Sequence, residues 1–188
     1  MKRSHVLTAV LSLVVVSGYL LLSVKASSLD TTSTTTVIRI WDACDPASFD
    51  KAVGPGACLP ARHGTETFDL FLNELTLDQH AGAWRFGSPA YTLASGQPTV
   101  LKNRGGETHT FTKVAAFGGG FVPFLNQLSG NPVPAPECLQ PPSSTSLFVP
   151  GAGGNHRGPT AGSADLPVGT TNFQCCIHPW MRTTITVQ

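Results

Sequence analysis

The stretch FQCCIHPWMRTTITV, residues 173–187, gathers two adjacent cysteines, a histidine and a methionine within seven positions. It spans parts of two runs with strand character, TTNFQCC and TTITVQ, which places the cluster in the turn between them. Two residues separate Cys175 from His178, and two separate His178 from Met181. A tight turn with that spacing can fold three side chains around one point. A further ligand should come from a neighbouring strand, and GGETHTFTKV offers His109 in a β-like run just after a glycine turn.

These donor types select a metal. Thiolate with imidazole suits zinc, copper or iron, whereas two imidazoles, one thiolate and a weak axial thioether describe a mononuclear blue-copper site. Zinc rarely takes a methionine ligand. Met181 is the single internal methionine, and it discriminates in favour of one copper ion cycling between Cu(I) and Cu(II).

Composition bounds the rest. Charged residues make up 12% of the 188, with a formal net charge of +1, so no basic field points to nucleic acid. The 19 glycines and 15 prolines, with recurring Thr and Val runs, favour a β domain with long turns over a helical bundle. The first 26 residues differ: a basic MKR start, a long apolar run, then VKA. This reads as an export signal cleaved after Ala26, the alternative being an uncleaved membrane anchor. Removing Lys2, Arg3 and Lys25 from the twelve basic residues leaves nine against eleven acidic ones, a net charge of −2. A periplasmic or secreted location follows. In an oxidising compartment cysteines tend to pair, and five leave one over, so the count itself points to a ligand.

Along the chain, residues 27–36 form a polar linker. Residues 37–81 read as an N-terminal extension: a strand at VIRIW, then a short helix after Asp45-Pro46 that Cys44 and Cys58 could staple. A second helix follows at TFDLFLNEL, whose apolar residues read as packing alone. From residue 82 short β runs follow one another, and 117–166 is a long Gly/Pro-rich stretch with few residues suited to a ladder. His63 and His80 read as solvated loop residues, and His156 similarly, with room for a weak second metal contact.

The loop CCIHPWM and the segment GETHTFT resemble the cupredoxins, and the loop spacing is most similar to that of amicyanin. The resemblance covers residues 82–188 and implies an all-β fold, a cupredoxin-like Greek-key β-sandwich, to which the N-terminal extension adds its short helices. It implies His109, Cys175, His178 and Met181 as copper ligands, with the Cys176 side chain facing away from the metal. Cys176 is then free to pair with Cys138, and Cys44 with Cys58 completes the set. Pro179 and Trp180 beside His178 would form an apolar rim where a redox protein partner docks transiently.

Other readings fit less well. A catalytic cysteine wants a base and an orienting acid, and only Glu107 is near, while an axial methionine would have no role. A dinuclear copper centre needs two cysteines reaching both metals, and adjacent strand residues point apart. A copper oxidase needs more domains than this length allows. The expectation is a monomeric electron carrier that is not an enzyme. Its rival is a secreted copper carrier or chaperone using the same ligands.

Overall fold

The computed structural model describes residues 34–139, 146–151, 155–157 and 166–188. The segment read as an export signal lies outside the described residues, as does most of the polar linker. Among the described residues no helix is long and apolar enough to cross a membrane.

The chain is mostly β, in two mixed sheets with few helices. The first sheet has the order β2-β1-β4-β7, built from Arg85–Phe86, Thr36–Trp41, Thr99–Asn103 and Asn155–Arg157. The second has the order β3-β9-β8-β5-β6, built from Ala90–Leu93, Arg182–Val187, Gly169–Gln174, His109–Val114 and Ser146–Val149. Side-chain alternation sets which face each strand buries. In β1, Ile38 and Ile40 turn inward while Val37 and Arg39 face outward. In β9, Thr183, Ile185 and Val187 turn inward. The inward residues of both sheets share one core, in which Phe111 of β5 stacks on Phe173 of β8 with ring centroids 4.4 Å apart.

Strands from both sides of residue 82 share the first sheet. β1 pairs in parallel with β4 over five residues, Thr36–Ile40 against Thr99–Asn103, so residues 37–41 are an interior strand of the first sheet. The helices that follow stay attached to that strand. Helix α1, Pro46–Ala52, begins where the Asp45 side chain accepts from the Ser48 N–H, and the Cys44–Cys58 disulfide encloses it. Helix α2, Phe68–Asp78, is capped by Thr67 and buries Phe71 and Leu75. The stretch 117–166 also carries more structure than its composition suggests. It holds helix α3, Pro123–Leu128, a 3-10 turn at Pro136–Cys138, and the edge strands β6 and β7.

One acid in the extension is held against its preference. Glu66 forms an isolated bridge with Cys44, and its Oε1 is buried with no hydrogen-bond partner. Burial, with Glu74 nearby, pushes its carboxyl from 4.5 up to about 7. The folded chain therefore holds this proton more tightly than the unfolded chain does. The associated stability is full below pH 4.5 and is lost as pH rises through about 7. Glu66→Gln removes that loss. Thermal melts should show the variant gaining on the parent between these two pH values, and parallel curves would mean that Glu66 is solvated.

Candidate metal centre

β5 begins at His109, and the turn between β8 and β9 carries Cys175, His178 and Met181, so strand pairing alone brings distant donors together. One ligand atom from each of His109, Cys175 and His178 lies within 4.8 Å of the others. Cys175 Sγ is 3.9 Å from His109 Nδ1 and 3.7 Å from His178 Nδ1. Met181 is tied to the same turn: its N–H donates to the His178 carbonyl (2.9 Å) and its carbonyl accepts from the Cys175 N–H (3.0 Å). None of the four residues is more than 2% exposed. A soft thiolate and two imidazoles in a buried cluster, on a turn that also carries Met181, fit a thiophilic ion.

The neighbouring cysteines part company. Cys175 joins the main core, while Cys176 packs in a separate cluster with Val114, Ala135 and Cys138. Cys176 is disulfide-bonded to Cys138, and Cys44 to Cys58, which leaves Cys175 as the free cysteine. Thr110 serves both neighbours. Its N–H donates to Cys175 Sγ at 3.3 Å, and its hydroxyl accepts from the Cys176 N–H at 2.7 Å.

Two carboxylates stand behind the two imidazoles. Asp42, the residue after β1, lies 2.8 Å from His109 Nε2 and also accepts from the N–H groups of Gly106 (2.8 Å) and Glu107 (3.2 Å). This wrap requires glycine: a Cβ on Gly105 would fall on the Asp42 carboxylate. Behind His178, Nε2 lies 3.5 Å from Glu107 Oε2, the oxygen that also accepts from the Trp84 indole N–H.

Charge in the cluster follows from these contacts. Burial works to lower the His109 pKa, but the Asp42 carboxylate and Cys175 outweigh it and push it up to about 10. Burial works to raise the Cys175 pKa, yet the two histidines hold it well below the usual thiol value. Asp42 is lowered despite its burial, chiefly by His109. Glu107 is raised by burial, which its neighbours only partly offset.

The ring of His178, beside the expected docking rim, is covered. His178 is 2% exposed, and Phe71 of α2 meets it edge-on with centroids 6.4 Å apart. Trp180 lies 5.4 Å from His178 and 5.9 Å from Phe71, and its indole N–H donates to the Ala81 carbonyl. Pro179 is buried and Trp180 is half-buried. His63 and His80 are exposed, apart from this cluster.

Sequence reasoning assigned no site role to Asp42, Phe71 or Trp84, and it weighed Glu107 only as a catalytic acid. Glu107 could have been found, since it lies two residues before His109. Asp42 is 67 residues from its partner and carries no local signal.

No family model matches the chain, and no curated protein does. Among solved structures, a purple cupredoxin from Nitrosopumilus maritimus is 14% identical, over 61% of this chain and 90% of that one, with a TM-score of 0.37. A point mutant of amicyanin in its Cu(I) form is 16% identical, over 57% of this chain and 76% of that one, with a TM-score of 0.34. The oxidized plastocyanin from Dryopteris crassirhizoma is 16% identical, over 56% of this chain and 89% of that one, with a TM-score of 0.34.

Thiol labelling checks the cysteine assignment without any metal. The native chain should take up no label, because Cys175 is buried. In denaturant without reductant it should take up one label, at Cys175. Labelling at any other cysteine would break the assignment.

Proposed function

We propose that the chain is a cupredoxin-like Greek-key sandwich that holds one copper ion as a mononuclear type 1 centre, through His109, Cys175, His178 and Met181. In this reading it is a monomer that carries single electrons outside the cytoplasm and catalyses no reaction of its own. One observation supports it above the rest: the Cys175 thiolate faces two imidazole nitrogens, at 3.9 and 3.7 Å, in a cluster closed to solvent.

Bound there, copper would supply a one-electron couple, with thiolate and thioether favouring Cu(I) and the imidazoles accommodating Cu(II). The protein's part is to fix the donors. Asp42 engages His109 Nε2, which leaves Nδ1 turned toward the sulfur. The Thr110 N–H stabilises the thiolate as a hydrogen-bond donor. Phe71 and Trp180 exclude water from His178.

A transient partner meets this rim at Trp180, because Pro179 and the His178 edge are buried. Such encounters bury little area. The carrier alternative asks for an ion that leaves easily. Donor residues no more than 2% exposed, under a helix, favour a resident ion.

Adding Cu(II) to the purified chain should produce an intense visible thiolate band. Cys175→Ser should abolish it, while the joint Cys138→Ser and Cys176→Ser variant should keep it. A colourless copper complex of the parent chain would overturn the reading. Trp180→Glu should slow electron self-exchange by about tenfold or more while the visible band stays in place, the direction expected when a charge must be desolvated at a small contact. An unchanged rate would take Trp180 out of the docking surface.

A further inference from the structure

On the outer face of the first sheet lies a groove of about 400 Å³, lined by Arg39, Trp41, Arg62, His63 and Arg104 together with Pro60 and Ala61. Three of the chain's twelve Lys and Arg residues converge there, and the lining contains no acid. A second hollow of about 300 Å³ shares Arg39 and Trp41 and continues along β1 toward Tyr91.

Strand register explains the convergence. β1 and β4 run in parallel with Arg39 opposite Lys102, and the buried pairs Ile38–Leu101 and Ile40–Asn103 face the core. Arg39 and Lys102 therefore share the outer face, and Trp41 and Arg104 follow at the next step. Like charges directly opposite on a sheet are destabilising. No carboxylate relieves them: among the described residues the two ion pairs both belong to His109 and His178. The Trp41 and His63 ring centroids lie 6.0 Å apart, forming an aromatic wall of the groove.

We infer that this groove binds a small polyvalent phosphoryl anion. Guanidinium groups present forked donors that match phosphoryl oxygens two at a time, and several of them around one concavity favour a multiply charged anion over chloride. The volume falls in the range of small-molecule sites. Binding would also relieve the repulsion among Arg39, Lys102 and Arg104.

The inference stands apart from the copper reading, and its test uses the full chain without copper. Pyrophosphate titrated calorimetrically at about 0.15 M NaCl, where exposed charges are screened beyond roughly 8 Å, should give a saturable isotherm with one site. Arg62→Gln with Arg104→Gln should weaken it at least about tenfold, the factor that corresponds to about 1.4 kcal/mol. Lys113→Gln, outside the groove, should leave it unchanged. Non-saturating heat, or affinity equal in parent and groove variant, would overturn the site. Equal binding of sulfate and pyrophosphate would overturn the phosphoryl assignment.

Discussion

The buried carboxylate of Asp42 is the fixed point of this structure. It closes the end of β1, receives two N–H groups from the turn before β5, and meets His109 Nε2 at 2.8 Å. The Cys44 N–H adds a further donor at 3.3 Å, which ties the same carboxylate to the loop stapled by Cys44 and Cys58. Burying a charge is costly unless it is paired and hydrogen-bonded, and here both conditions are met. Removing one partner of such a pair typically costs about 3–5 kcal/mol, because the other charge is left stranded. The ring of His109 consequently has little freedom, and the position of its Nδ1 is set from behind.

The opposite wall is aromatic. Trp84 is 1% exposed and packs on Phe71 at 4.5 Å and on Phe49 at 5.7 Å. Through Glu107 it also steadies His178. Helices α1 and α2 therefore complete the cluster rather than decorate it. Phe71 of α2, backed by Phe49 of α1, fills the space over the β8–β9 turn, and that same filling takes His178 away from solvent. Rigidity and dryness at the cluster have one cause, at the expense of an open imidazole edge.

Much of this was legible because the signals were local. The short β runs after residue 82 include β3, β4 and β5, TTITVQ became β9, and Asp45-Pro46 began α1 where capping chemistry places a helix start. The spacing of Cys175, His178 and Met181 is a turn's spacing, so the nearness of its donors is written in one short segment. What stayed hidden depends on pairing across long separations. β1 looks like any short apolar strand, and nothing in it announces β4 as its parallel neighbour. Phe71 fits a packing face, and only the docked helix reveals His178 beneath it. The rows of Gly and Pro between residues 117 and 166 mask two edge strands, since short edge strands need little periodicity to join a ladder.

The two disulfides have a bearing on assembly. Each locks away a pair of thiols, so four of five cysteines are withdrawn from competition for a thiophilic ion. In a reduced and unfolded chain, by contrast, Cys176 would offer a second sulfur beside Cys175, which the folded strand turns to the other side. Oxidation thus leaves Cys175 as the single free thiol of the folded chain, so the sulfur chemistry open to the cluster is set by bonds made elsewhere.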